Sequence, residues 1–385
     1  MKLPSSIPVQ VALRWSDRVQ TPVGRLAWRD RQGWFEYDAA WIESGLELSP
    51  LRLRSARGVH AGDPNLSGLH GVFADSLPDA WGRLLVDRRA LSLGIQPAGL
   101  TPLERLCVVG ERGIGALTYQ PAVAWANDGP MSTLDQLAGQ VADVMQGNAG
   151  DVLTELLALG GSPGGAQPKV LVGWREADDH LVHGAASVPA DHRALMVKFG
   201  APEDPPDIGP IELAYAEMAR AAGLRTSPSR LLASATGAGY FAIDRFDRPA
   251  GAGGPRLHTH TLAGLLHADH RLPSLDYDAL LRATWHITRD HGEVEVAFRY
   301  MVFNVLACNR DDHGRQFSFL MDARGDWRMA PAYDLTYSEG PGGEHSTSVA
   351  GEGRNPRIEH MLALAKTAAI RKPQVVIEEV SAAVA

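Results

Sequence analysis

The sequence predicts an α+β fold in two lobes, with a β-rich N-terminal half and a mainly helical C-terminal half. Three observations carry that expectation. Apolar and polar residues roughly alternate over 9–15, and similar short runs at 25–29 and 34–37 flank a turn, as half-buried strands require. From residue 261 to about 300 the apolar residues recur at helical spacing, and 301–308 is apolar on all sides. The 385 residues are long enough for two lobes or domains, each with its own core.

In chain order, Asp30-Arg31-Gln32-Gly33 supplies the turn between the strands at 25–29 and 34–37. Residues 63–82 are rich in Gly, Pro and Asp, and a helix follows with Ser76 as a cap and Pro78 near its first turn. Gly110-Glu111-Arg112-Gly113-Ile114-Gly115 lacks the strand before and helix after that a dinucleotide fingerprint needs, so it reads as a turn. Ser132-Thr133 caps an amphipathic helix to about 146, and Asp151 starts another that ends at Gly160-Gly161. Strands are expected at 170–172, 195–199 and 240–246, with a helix over 211–222 stopped by Gly223. Beyond the helical stretch, a polar loop at 309–316 leads into a hairpin, 317–321 and 327–330, about a turn at Ala323-Arg324-Gly325-Asp326. The tail beyond Pro356 is helical again.

The balance of 37 basic and 45 acidic residues gives a net charge of −8. This disfavours a grip on nucleic acid over the whole surface and leaves room only for a local basic patch. No run of about 18 uncharged apolar residues appears, so no membrane span is expected. The first residues lack the apolar core of a signal peptide. Cys107 and Cys308 lie in apolar stretches and read as small buried hydrophobes. A cytoplasmic protein without a disulfide framework is expected.

The chemistry concentrates in Asn309-Arg310-Asp311-Asp312-His313-Gly314-Arg315-Gln316-Phe317 and in Ala330-Pro331-Ala332-Tyr333-Asp334. A hairpin folds back on itself, so Asp311 and Asp334 can meet, and loop, hairpin and acid is how phosphotransferases bring two carboxylates to one phosphate. Ser162-Pro163-Gly164-Gly165-Ala166-Gln167-Pro168-Lys169 is the second signal. It reads either as a phosphate cradle, because glycines let backbone N–H groups approach an anion, or as a plain strand-entry turn. Lys198, between Val197 and Phe199, is either a solvent-facing lysine or one held by a strand to bridge phosphates, with Glu212 as its partner. His258 and His260 would share one face of a strand and, with Asp312, leave a metal site open as an alternative.

Taken together, these motifs resemble those of the HipA-like serine/threonine kinases, the toxin halves of bacterial toxin–antitoxin pairs. The resemblance runs from about residue 60 to 340. It is strongest in Phe73-Ala74-Asp75-Ser76-Leu77-Pro78-Asp79 with the Trp-Gly-Arg that follows, in 162–169, in Phe241-Ala242-Ile243-Asp244-Arg245-Phe246-Asp247-Arg248, and in 309–334. It implies a bilobal protein-kinase-like fold with a HipA N-terminal subdomain over 1–120. The phosphate loop and hinge would fall in 121–255, the remainder of the β-rich lobe, and the catalytic and metal-binding loops in the helical lobe over 256–385.

By that resemblance, Gly164, Gly165, Ala166, Gln167, Pro168 and Lys169 would wrap the phosphates of ATP, and Lys198 would contact them, braced by Glu212. Asp244, Arg245 and Phe246 would form the hinge beside adenine. Asp311 would be the general base, His313 would lie near the nucleotide, and Asp334 with Gln316 would hold Mg²⁺. Ser162 matches the family's autophosphorylated serine. The implied partners are a protein substrate, an aminoacyl-tRNA synthetase among the family's targets, and a helix-turn-helix antitoxin through which DNA would be reached. One departure stands out: the family motif ends in Asn-Phe, whereas this chain has Gln316-Phe317. Gln sets its carbonyl oxygen one methylene further out, against the strict octahedral demand of Mg²⁺. That leaves two rivals to a working kinase: a nucleotide-binding module with little phosphotransfer, and a metal-dependent hydrolase built on His258, His260 and Asp312.

Overall fold

The structure is a computed structural model that describes residues 7–125, 131–147, 152–160, 165–249 and 254–385. Its N-terminal half holds two five-stranded sheets, antiparallel throughout. The first has the order β4 (Val59–Ala61), β3 (Gln32–Tyr37), β2 (Gln20–Arg29), β1 (Val9–Arg14), β5 (Leu117–Gln120). Asp30 and Arg31 turn β2 into β3 with φ of 53° and 62°, the paired left-handed geometry of a tight hairpin. The second sheet has the order β7 (His180–His183), β6 (Lys169–Arg175), β8 (Arg193–Lys198), β10 (Tyr240–Asp244), β9 (Ser229–Leu232). Both sheets pack their apolar faces into one continuous core that includes Phe35, Phe73, Trp81, Tyr119, Val172 and Val197.

Helices fill the spaces around these sheets. α1 (Ala39–Ser44), α2 (Gly71–Ala74), α3 (Ala80–Ser92) and α4 (Pro102–Val109) follow the first hairpins. α5 (Leu134–Gln146) starts on a Thr133 capping box, as its sequence predicts, and α6 (Val152–Gly160) leads to the second sheet. α3 does not start where expected. Its N-cap is Asp79, while Ser76 is buried and its hydroxyl receives a 2.8 Å hydrogen bond from Tyr119.

After α7 (Ile208–Ala221) the chain builds the helical lobe from α8 (Leu262–Leu266), α9 (Tyr277–Thr288), α10 (His291–Leu306), α11 (Ile358–Thr367) and α12 (Pro373–Val384). The continuous helical periodicity over 261–300 is thus broken. His267 ends α8 in a left-handed conformation, and Leu272-Pro273 and the short strand β12 (Leu275–Asp276) intervene before α9. A second core, with Tyr277, Phe298, Met301, Phe303 and Phe317 fully or almost fully buried, holds the helices together. The expected hairpin is present as β13 (Ser318–Met321) and β14 (Trp327–Met329), extended by β11 (His258–Thr261) into a three-stranded sheet. β15 (Thr347–Ser348) pairs in parallel with β12.

The first domain docks on the helical lobe through glycines. A Cβ on Gly71 of α2 would lie 1.9 Å from the Gly264 carbonyl oxygen of α8, so the two backbones meet where only glycine fits. Beside them His260 donates from Nδ1 to Asp75 (2.6 Å) and accepts at Nε2 from Ser49 (2.9 Å). That is the connectivity of a hydrolase triad, but Ser49 and His260 are completely buried, so the array ties β11 to the first domain rather than meeting a substrate.

Candidate active site

The second sheet sets two lysines side by side. Lys169 opens β6 and Lys198 closes β8, and the two are register partners. Like charges directly opposite on a sheet repel, and both side chains are buried, so the pair persists only with carboxylates close by. α7 supplies Glu212, 3% exposed, whose carboxylate lies 2.6 Å from the Lys198 ammonium. The segment after the hairpin supplies Asp334 at 2.5 Å. Burial alone would push the Lys198 pKa down; Asp334 and Glu212 outweigh it and hold the ammonium above its ordinary value. For Asp334, burial pushes the other way, and Lys198 and Lys169 hold its carboxyl far below the usual carboxylate range. Lys169, by contrast, is lowered, because burial and the neighbouring Lys198 together exceed the attraction of Asp334. Gln167 donates a 2.8 Å hydrogen bond to the other Glu212 oxygen and fixes the carboxylate for Lys198.

Asp334 sits in the left-handed region (φ 55°), and Cys308, just before the polar loop, does too (φ 52°). Such backbone in residues other than glycine persists only where its surroundings over-determine it. Here they do. Asn309 donates to Asn304 (3.0 Å), Asn304 to the Tyr277 hydroxyl (2.9 Å), and Tyr277 to Asp312 (2.7 Å). Asp312, with no solvent exposure, also accepts from His345 Nδ1 (2.8 Å) and the Thr347 backbone N–H (3.2 Å). Asp312 therefore anchors the loop. Its replacement by alanine would orphan three buried donors, and a loss of about 3 kcal/mol is expected in urea unfolding. A loss below about 1 kcal/mol would contradict this anchoring role.

Asp312 is turned inward, whereas its neighbour Asp311 is left exposed. Its side chain is 56% exposed, and His313 Nε2 stands 3.9 Å away. Partial burial, followed by the nearby Asp334 and Asp312 charges, raises its carboxyl above the ordinary range, against His313 and Gln316. Gln316 donates a 3.1 Å hydrogen bond to Asp334 and so stands between the two acids. The two carboxylates of the sequence motif are near enough to sense each other's charge.

Other expected site residues fall differently. Gly165 lies at the lysines: a Cβ there would come within 2.7 Å of the Lys169 Nζ and 4.0 Å of Asp334. Ala166 and Pro168 continue this loop, and Pro168 accepts from the Phe199 N–H (2.9 Å). Ser162 and Gly164 lie outside the described residues. In the segment expected to form the hinge, the Asp244 carboxylate is held by Arg193 and Arg230, and Arg245 forms a buried pair with Asp247 (2.7 Å). The backbone N–H groups of Asp244 and Arg245 are bonded to Pro228 and Ala194. The Asp244 and Arg245 side chains are thus committed to the scaffold, and the half-buried Phe246 ring packs against Tyr333 (ring centroids 5.3 Å apart). His258, His260 and Asp312 do not converge: His258 is bonded to the Leu48 carbonyl, His260 to Asp75 and Ser49, and Asp312 to its own network. Among the described residues, no group of three or more His, Cys, Asp or Glu side chains could hold a metal ion.

Two contributors went without a role in the motif reading. Asp79 and Arg315 form an ion pair across 236 positions, and Arg315 also donates to the Ala74 carbonyl (3.0 Å). The motif containing Asp79 was visible, but nothing in a sequence marks a contact at that separation.

The model of the HipA-like C-terminal domain matches residues 161–385, and that of the HipA N-terminal domain matches 18–120. The chain belongs to the HipA family. Among curated relatives of this HipA-family chain is the putative kinase Y4mE of Sinorhizobium fredii, 28% identical over 83% of this chain and 75% of that protein. Among solved structures, HipA of Shewanella oneidensis, in a complex with HipB and its operator DNA, superposes with a TM-score of 0.69 at 17% identity, covering 97% of this chain and 88% of that one. The bilobal α+β fold expected from the sequence is therefore the fold of HipA. No helix among the described residues is long and apolar enough to cross a membrane.

Proposed function

We propose that this HipA-family chain is an ATP-dependent serine/threonine protein kinase. The observation that carries the reading is Lys198, buried between Glu212 and Asp334, with a solvent-open Asp311 near enough to Asp334 to sense its charge. A cation so fixed is an electrostatic post for phosphate oxygens, and positioning plus charge stabilisation is most of what phosphoryl transfer asks of a protein. Lys169 adds a second positive group, and the backbone from Gly165 onward can approach phosphates closely. Asp311 is placed to accept the proton of an incoming serine or threonine hydroxyl. Its raised pKa makes it a better base than an ordinary carboxylate.

Asp334 and Gln316 offer adjacent hard oxygen donors, which fits Mg²⁺ bound mainly through phosphates and water. Bound there, the metal would neutralise charge developing on the transferred group. Gln316 presents its NH₂ to Asp334, so holding the metal requires the amide to turn its oxygen inward. Ser162 is the proposed autophosphorylation site. The proposed partner is a helix-turn-helix antitoxin, by analogy with the HipB of the Shewanella complex, which would carry the DNA contacts that a chain of −8 net charge disfavours. The proposed setting is cytoplasmic, and an aminoacyl-tRNA synthetase is the substrate class the family suggests.

The nucleotide-binding reading is separated by two measurements on one sample. ATP with Mg²⁺ should raise the melting temperature of the protein under either reading. Only a kinase also releases ADP and gains ~80 Da on Ser162. A thermal shift without ADP would assign the chain to nucleotide binding alone. Gln316→Asn, which restores the family's oxygen position, is then expected to raise the phosphotransfer rate; an unchanged or lower rate would show that Gln316 already serves the metal.

A further inference from the structure

We infer that Asp79 is a positioning residue that fastens the Gly165–Lys169 loop to the Asp311-bearing loop, making the first domain a working part of the nucleotide site. The inference rests on reading Gly165–Lys169 as the phosphate loop. Asp79 occupies the N-cap position of α3, where an aspartate normally accepts a hydrogen bond from the helix's own first turn. It makes no such bond. One carboxylate oxygen accepts from the Gly165 N–H (2.9 Å), and the other is paired with Arg315, four positions beyond Asp311.

The rest of the α3 start grips the same loop. The Trp81 backbone N–H donates to the Gly165 carbonyl (3.4 Å), and its indole N–H donates to the Lys169 carbonyl (3.2 Å). Gly165 and Lys169 are therefore both tied to one helix turn. The preceding helix packs on the same surface: a Cβ on Gly160 would meet Leu85 at 2.9 Å. Ala80, next to Asp79, is held at φ 24°, so this junction gives up a relaxed backbone as well as a cap. Two departures at one junction mark a constraint imposed from elsewhere, and the partners of Asp79 sit on the loop that bears Lys169 and the loop that bears Asp311.

Bridging and capping predict different outcomes. Asparagine caps a helix as well as aspartate does, so a capping role makes Asp79→Asn equivalent to wild type. A bridge needs the charge for Arg315, so Asp79→Asn loses part of the function and Asp79→Ala most of it. The test measures ADP–Mg²⁺ affinity, KM for ATP and kcat for wild type, D79N and D79A, with the melting temperature of each nucleotide-free protein as the folding control. The expected result is an affinity loss and KM rise of about tenfold in D79A and about threefold in D79N, with kcat changed less than either. Faster hydrogen exchange at the Gly165 amide in both variants should accompany it and can be read even if D79A folds poorly. Wild-type affinity in D79N and D79A, or D79N indistinguishable from wild type, overturns the inference. Absence of ADP binding by wild type would instead remove the phosphate-loop reading beneath it.

Discussion

Replacing Asp311 with alanine is expected to lower phosphotransfer by about 10²–10⁴-fold, the usual contribution of a positioned general base. The effect should be confined to chemistry. Asp311 is exposed, whereas the buried cations that would meet the phosphates are Lys169 and Lys198, so the ATP-induced rise in melting temperature should survive. The pH profile should change too. A base must be ionised to accept a proton, and the Asp311 carboxyl is raised above its ordinary 3.8, so wild-type kcat should fall on the acid side through a pKa above that value. The residual activity of Asp311→Ala should lack that limb. Asp334 is depressed instead and stays ionised across the same range, so it does not supply the limb.

Replacing Lys198 with methionine should remove both nucleotide binding and stability. Two carboxylates, Glu212 and Asp334, would then share a largely buried space without the cation that both contact. Breaking a buried ion pair by removing one partner costs about 3–5 kcal/mol, here offset in part by the nearby Lys169. The sign of the pH dependence follows from the shifts. Lys198 is raised, so its stabilisation is complete below the pKa of an unfolded lysine and fades as pH rises through the higher folded value. Asp334 is depressed, so its contribution is complete above the pKa of an unfolded aspartate and fades as pH falls through the lower folded value. Between about pH 5 and 9 both are fully present, and the penalty of Lys198→Met should be flat in denaturant unfolding. Acidification below that window, which neutralises the stranded carboxylates, should shrink it. A variant as stable as wild type that still gains melting temperature with ATP would remove Lys198 from the site.

Much of this arrangement was legible in the sequence because it is local or periodic. The hairpin between Asp311 and Asp334 announces itself by two apolar runs about a glycine turn, and the strand ending at Lys198 by its apolar neighbours. What escaped is what depends on contacts distant in sequence. The histidines of β7 and β11 sit in short polar-looking runs whose partners lie on other strands. The broken helix over 261–300 kept its apolar spacing because α8 and α9 both face the same core. Adjacent Asp311 and Asp312 look alike in a sequence; only Tyr277, His345 and Thr347, folded around one of them, turn Asp312 inward and leave Asp311 outside. The sequence offers Ser76 as the cap of α3, and only the folded chain puts Asp79 there and directs its carboxylate to Gly165 and Arg315.

In the proposed kinase, two buried lysines, Asp334 and an outward Asp311 carry out phosphoryl transfer. Incubating wild type and Asp311→Ala with Mg²⁺ and ATP radiolabelled at the γ-phosphate, and following label on the protein, distinguishes a working site from an idle one. Wild type should become labelled while Asp311→Ala, equally folded and still stabilised by ATP, stays near background. Labelling of Asp311→Ala as fast as wild type, or no label on either protein while both bind ATP, would contradict phosphoryl transfer by these residues.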